Sequence, residues 1–89
     1  MTTIEFTSNI QRHVKAPVLS VEAATVGEAL KLYFAKYPEV RPYLLDNQGA
    51  LRQHMLVLVD GIAIADRSRQ NDSLKPGSDI FVFQALSGG

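Results

Sequence analysis

The segment TVGEALKLYFAKY, residues 25–37, decides the fold. Thr25 followed by Glu28 fits a capping box, in which the threonine hydroxyl and the glutamate carboxylate satisfy backbone donors at the first helical turn. Apolar residues then recur at spacings of three and four, which places them on one helix face. This stripe consists of Val26, Ala29, Leu30, Tyr33, Phe34 and Tyr37. Because Pro38 disfavours helical geometry at the preceding residue, the segment predicts an amphipathic helix of about twelve residues that a sheet must cover.

Two short runs before this helix alternate between apolar and polar residues, as half-buried strands do. Residues 4–7 form the first run and residues 18–22 the second, and we expect the two to pair in antiparallel fashion. Pro17 lacks a backbone donor, so the second run belongs at an edge of the sheet. Residues 8–16 between the runs are predicted to form a polar loop.

Three more strands are predicted after the helix. Residues 55–59 are all apolar, and Asp60-Gly61, which favours a tight hairpin turn, leads directly into residues 62–64. A last strand is expected at residues 80–84, after a polar surface loop at 66–72. Leu74 is expected to plug the core beneath that loop. A short helical turn at residues 42–45 completes the order.

The predicted order is two strands, a helix and three strands, which is an α+β arrangement of one mixed sheet on one main helix. The β-grasp (ubiquitin-like) fold fits this order, with four to five strands and with the first and last strands parallel in the centre. We expect a single domain over residues 1–89. Residues 85–89 are expected to form a flexible C-terminal tail.

Composition excludes several classes of function. Nine Lys plus Arg balance nine Asp plus Glu, so no positive excess favours nucleic acid or an anionic membrane. The chain contains no cysteine, which excludes thiolate nucleophiles and cysteine-based zinc sites. The longest apolar run, residues 55–59, is far shorter than the roughly 20 residues of a membrane span. We therefore expect a cytoplasmic protein without a metal site, with His13 and His54 at the surface in unrelated surroundings.

The sequence ends in Ser87-Gly88-Gly89, directly after the predicted last strand. Glycine has no Cβ, so two in succession fit a narrow channel in a partner. A carboxylate at Gly89 is a poor acylating group, whereas its mixed anhydride with AMP is an activated acyl group that a sulfur nucleophile can attack. These residues predict a tail that is inserted into another protein.

Three features resemble the MoaD/ThiS family of ubiquitin-like sulfur carriers. They are the capped helix start at residues 25–30, the segment 74–80 that enters the last strand, and the Gly88-Gly89 terminus. The long connection from residue 37 to residue 52 is closest to the carriers of cysteine biosynthesis and the archaeal small modifiers. The residues before the glycines, 84–87, lack the proline that is common in those relatives.

The resemblance implies a function for Gly89. In the family, a ubiquitin-activating-type enzyme uses ATP to adenylate the terminal glycine, which is then converted to a thiocarboxylate that donates sulfur in biosynthesis. The chain itself is then a carrier and not an enzyme, with no bound cofactor, and its partners are the activating enzyme, a sulfur donor and a sulfur-accepting synthase. Cysteine, molybdopterin, thiamine and tRNA thiolation remain open as pathways. Two alternatives also remain: a modifier joined through Gly89 to lysines, and a non-covalent interaction subunit.

Partner docking is predicted from alternation in the last strand. If Ile80 and Val82 face the helix, Phe81 and Phe83 lie on the opposite face. With Leu86 and the outward residues of the 55–59 strand, they are candidates for apolar anchors of a partner. Four surface arginines are further candidates for contacting acidic residues of a partner. Such residues are more often simply solvated. The set consists of Arg12, Arg52, Arg67 and Arg69.

Overall fold

The computed structural model describes residues 1–85, which form one sheet with helices on a single face. The strands are β1 (Thr2–Phe6), β2 (Leu19–Val21), β3 (Met55–Val59), β4 (Ile62–Ala63) and β5 (Asp79–Gln84). The helices are α1 (Ser8–Gln11), α2 (Val26–Lys36) and α3 (Arg41–Leu44), with a 3₁₀ turn at Pro38–Val40. Over residues 1–85, no helix combines the length and the apolar character needed to cross a membrane.

The sheet has the strand order β2-β1-β5-β3-β4. β1 and β5 are parallel and adjacent, whereas β2 pairs antiparallel with β1 and β3 pairs antiparallel with β5. β5, the last strand along the chain, therefore lies in the middle of the sheet, with a hydrogen-bonded neighbour on each side. The predicted β-grasp architecture is confirmed, as is the edge position of the strand that follows Pro17.

Helix α2 begins as its sequence predicts. The Thr25 Oγ1 accepts the Glu28 amide at 3.2 Å, and the Glu28 carboxylate accepts the Ala24 amide at 2.9 Å. The helix ends at Lys36, and Tyr37 lies at its C-terminal cap. This capping box fixes the first turn, so the apolar stripe of α2 is aimed at the sheet.

The core lies between α2 and the inner face of the sheet. Tyr33 is fully buried there, and its ring centroid lies 4.9 Å from that of Phe6. The Tyr33 hydroxyl donates to the Pro17 carbonyl at 2.7 Å, which satisfies its polar end. Burial, with a smaller contribution from Tyr37, raises the pKa of Tyr33 to about 12. Leu74 packs against this core, as the sequence predicts.

The predicted polar loop at residues 8–16 is wrong. Its first residues form α1, and its apolar residues Ile10, Val14 and Ala16 are buried in the core. Their spacings of four and then two residues do not continue a single helical or strand period, so only their long-range contacts reveal that all three face inward. The predicted helical turn at 42–45 is confirmed with a small shift, as α3.

The long connection from α2 to β3 also folds onto the core. Val40, Leu44, Leu45 and Leu51 are all buried, and Leu45 pairs with Leu51 in an isolated antiparallel bridge. The connection is thus a packed layer that fixes where β3 begins.

Candidate functional site

Strand β5 separates its side chains between the two faces of the sheet. Ile80 and Val82 are 1% and 0% exposed toward α2, whereas Phe81 is 36% exposed and Phe83 is half-buried on the other face. The ring centroids of the two phenylalanines are 5.9 Å apart. The alternation predicted from the sequence is confirmed, and the docking role of these residues stays a prediction.

Strand β3 extends this apolar surface. Leu56 lies opposite Phe83 and Leu58 lies opposite Phe81, and both leucines are half-buried. We call the four residues Leu56, Leu58, Phe81 and Phe83 the outer patch. On its other side Phe81 has the exposed Glu5 of β1 as its register neighbour, so an acidic residue borders the patch. Leu86, the remaining predicted member, lies outside the described residues.

The outer patch leads to the root of the predicted tail. Gln84 lies opposite Met55, and the Ala85 amide donates to the His54 carbonyl at 2.8 Å. Ala85, the first residue of the predicted tail, is therefore held against β3. Ser87, Gly88 and Gly89 lie outside the described residues, and their roles stay predictions.

Arg67 holds the segment from which β3 starts. One of its guanidinium nitrogens donates to the carbonyls of Arg52 at 2.7 Å and Met55 at 2.9 Å, with a longer contact of 3.4 Å to Gln53. His54, which accepts the Ala85 amide, lies within this segment. Sequence reasoning treated Arg67 only as a candidate partner contact, because no local pattern reveals an arginine that binds distant carbonyls.

The other arginines considered for partner contact divide into two groups. Arg52 donates through Nε to the Pro42 carbonyl at 2.7 Å, so it also serves the internal structure. Arg12 and Arg69 are exposed. A role in meeting an acidic partner therefore remains a prediction for Arg12 and Arg69.

Asp60 anchors the start of β5. It adopts a positive φ of 51° in the tight turn before Gly61, as predicted for this hairpin. Its carboxylate accepts the Asp79 amide at 2.9 Å and the Ser78 hydroxyl at 3.0 Å. These two hydrogen bonds, that from Asp79 foremost, lower the pKa of Asp60. Asp60 is thus a structural carboxylate that ties the β3–β4 turn to the central strand.

The two histidines are both exposed, as expected, but their surroundings are not unrelated. His13 and His54 line one cleft of about 250 Å³, together with Tyr43 and Gln84. The expectation of unrelated positions is wrong because α1 folds back beside the start of β3, which the sequence did not reveal.

A five-stranded mixed sheet over one main helix, with parallel β1 and β5 and a chain that leaves from the central strand, defines a ubiquitin-like β-grasp domain. The chain belongs to the ThiS family, whose family model matches residues 6–89. The resemblance inferred from the sequence is therefore confirmed.

Relatives of known identity fit this assignment. Ubiquitin-related modifier 1 of Encephalitozoon cuniculi is 29% identical over 66 residues, which cover 74% of this chain and 69% of the relative. The crystal structure of SAMP1 from Haloferax volcanii superposes with a TM-score of 0.81 at 23% identity, covering 99% of this chain and 98% of SAMP1. A chain of the Amycolatopsis orientalis BexX/CysO complex has a TM-score of 0.83 at 17% identity, with both chains fully covered. At these identities, the two structures establish the shared fold.

Proposed function

We propose that this chain is a sulfur carrier whose reacting group is the carboxylate of Gly89. The observation that carries the proposal is the ThiS family match, which runs through residue 89 and so includes the glycine pair. It is supported by the structure, in which β5, the strand that precedes residues 86–89 in sequence, has a hydrogen-bonded neighbour on each side. The carrier itself acts as a substrate of partner enzymes.

The proposed chemistry has two steps. A Gly89 carboxylate oxygen attacks the α-phosphorus of ATP, forming an acyl adenylate and releasing pyrophosphate. A sulfide donor then attacks the acyl carbon, AMP leaves, and a thiocarboxylate remains. Both steps take place in the activating partner, which binds the ATP. Because the reaction requires ATP, we propose that the protein acts in the cytoplasm. The product donates its sulfur to an accepting synthase, in cysteine, molybdopterin, thiamine or tRNA thiolation.

Recognition by the partner is assigned to two parts of the chain. The outer patch supplies the apolar anchor, because two phenylalanines and two leucines lie side by side on the outer sheet face, where Phe81 is exposed and the other three are half-buried. Ser87 and Gly88 then lead Gly89 into the catalytic centre, where the absence of a Cβ permits a narrow passage. Leu86 joins these two parts.

Intact-mass measurement tests the proposal directly. Incubation with the cognate activating enzyme, ATP and a sulfide donor should replace one carboxylate oxygen by sulfur, and thiol-directed alkylation should then add a single label, since the chain has no cysteine. Gly89→Ala is the matched variant, and the extent of its mass change is compared with that of the original chain. An unchanged mass under these conditions would overturn the carrier proposal.

A second candidate function is that of a protein modifier joined through Gly89 to lysines. It is favoured by the names of two similar proteins, the ubiquitin-related modifier and the small archaeal modifier protein. Peptide mass spectrometry of lysates from the native host separates the candidates, because a modifier leaves lysines that carry a remnant of this C-terminus. A non-covalent interaction subunit would instead retain partner binding after deletion of Gly88 and Gly89.

A further inference from the structure

A concave surface lies on the helix side of the sheet, whereas the outer patch lies on the opposite face. It is a cleft of about 500 Å³ between α2, the start of α3, and the loops at residues 45–49 and around residue 70. Its lining consists of Gly27, Leu30, Lys31, Phe34, Ala35, Arg41, Leu45, Gly49 and Gln70. The cleft has the volume of a small-molecule site, for which about 300–1,000 Å³ is usual.

The walls of the cleft are built from packed backbone. A Cβ at Gly27 would lie 3.0 Å from the Arg69 carbonyl oxygen and 3.2 Å from that of Gln70, so glycine lets this loop approach α2 closely. The Gly27 amide donates to the Gln70 carbonyl at 2.7 Å. The buried Gln70 side chain in turn donates to the Gly49 carbonyl at 3.2 Å. The two loops and the helix thus form one connected frame.

The charges of the cleft are all of one sign. Over the described residues, its lining contains the cations of Lys31 and Arg41 and no carboxylate. Arg41 extends over the cleft, since a nitrogen of its guanidinium lies 3.8 Å from the position that a Cβ on Gly49 would take. Two nearby acids accept hydrogen bonds elsewhere: the Glu28 carboxylate accepts the Ala24 amide, and that of Asp46 accepts the Gln48 and Ala50 amides. Glu39, the acid nearest to Arg41 in sequence, lines a different cleft.

We propose that this cleft binds a small organic anion, whose carboxylate or phosphate group is held by Lys31 and Arg41. Its apolar body would lie against the exposed Ala35 and the small exposed parts of Phe34 and Leu45, which are 9% and 6% exposed. Two cations in a concave, partly apolar site favour a ligand that is both anionic and apolar over inorganic phosphate or a neutral aromatic compound. No residue of the lining belongs to β5, and the proposal does not depend on the carrier chemistry.

The proposal is tested by two-dimensional NMR titration of the full chain with phenyl phosphate and benzoate. We expect shifts centred on Leu30, Phe34 and Leu45, with about millimolar affinity for probes of this size. Benzyl alcohol, which has the aromatic ring but no anion, and inorganic phosphate, which is an anion without an apolar part, should bind more weakly. Added salt should weaken the binding of both anions, because it screens the charges of Lys31 and Arg41.

Substitutions locate the site. Lys31→Gln and Arg41→Gln should each weaken the binding of phenyl phosphate by about two- to fivefold, as expected for ion pairs of exposed side chains. Ala35→Phe should block the cleft without changing its charge. Lys36→Gln removes a cation of α2 that does not line the cleft, so it should leave the binding of phenyl phosphate unchanged. Spectra of the free variants that keep the dispersion of the original spectrum, with changes only near the substituted residue, show that each variant has folded. Shifts that map elsewhere, equal binding of benzyl alcohol, or equal effects of Lys31→Gln and Lys36→Gln would overturn the proposal.

Discussion

At the scale of single residues, Thr25 determines where the main helix begins. Its hydroxyl accepts the Glu28 amide, and the Glu28 carboxylate closes the reciprocal bond to Ala24. Removal of an N-cap hydroxyl typically costs about 1 kcal/mol. We therefore expect Thr25→Ala to lower the free energy of unfolding by about 1 kcal/mol, measured by urea denaturation, and Thr25→Ser to restore most of it.

Thr3→Ala is the matched control for this prediction. The Thr3 hydroxyl lies 3.5 Å from that of Ser20 on the exposed sheet face and caps no helix. If Thr3→Ala lowers the free energy of unfolding as much as Thr25→Ala does, the capping box makes no specific contribution to stability.

Two carboxylates give the fold a dependence on pH. The pKa of Asp60 is lowered by hydrogen bonds from the Asp79 amide and the Ser78 hydroxyl, and that of Asp72 by the amides of Ala65 and Asp66. A carboxyl group whose pKa is lower in the folded state stabilises the protein above its unfolded pKa, near 3.8 here, and that stabilisation disappears as the pH falls through the folded value. We expect the free energy of unfolding to be flat at neutral pH and to fall below about pH 4.

Variants at these carboxylates test the same prediction. Asp60→Asn and Asp72→Asn should each make the acid side of the stability profile shallower, and asparagine tolerates the positive φ at residue 60. Glu22→Gln, at an exposed position, should leave the profile unchanged. If both aspartate variants reproduce the original acid dependence, other groups control it.

At the scale of elements, Arg67 couples a loop to the end of the central strand. It binds the carbonyls of Arg52 and Met55, on either side of the His54 carbonyl that accepts the Ala85 amide. We expect Arg67→Gln to destabilise the fold by about 1–3 kcal/mol. We also expect amide hydrogen exchange to accelerate more at Ala85 than at Ile80 in the same strand. Arg69→Gln, an exposed neighbour, is the control.

Elements differ in how far the sequence predicts them. Helix α2 and the Asp60-Gly61 hairpin are specified locally, by a capping box, a periodic stripe and a turn dipeptide, and both predictions are confirmed. Helix α1 has four residues and is held by the burial of Ile10, which a sequence pattern does not show. The packed connection before β3 likewise depends on the contact of Leu45 with Leu51.

At the scale of the whole molecule, the outer patch is the surface that we propose binds the activating partner. Phe83→Ala should weaken partner binding and slow adenylation by about tenfold or more, since truncation of a buried aromatic anchor commonly costs at least 2 kcal/mol. Leu32→Ala provides the control, because Leu32 is exposed on α2, away from the patch. Undiminished adenylation of a folded Phe83→Ala variant would show that the patch is not used.

The candidate site was only partly predictable. Strand alternation identified Phe81 and Phe83, because the two faces of a strand follow from a period of two. The sequence also predicted that outward residues of the 55–59 strand join them, but it did not show that these are Leu56 and Leu58 or which residues they oppose, since strand pairing depends on the whole sheet. The internal role of Arg67 and the cleft that His13 shares with His54 likewise depend on chain segments that are distant in sequence.

The parallel pairing of β1 with β5 also sets how the molecule bears a pulling force. When β1 is held at its N-terminal end and β5 is drawn from its C-terminal end, the hydrogen bonds between these parallel strands are loaded in shear and must yield together. The antiparallel ladder with β3 shares the same load on the other side of β5. An unfoldase that grips the C-terminus would therefore meet the mechanically strongest part of the fold first.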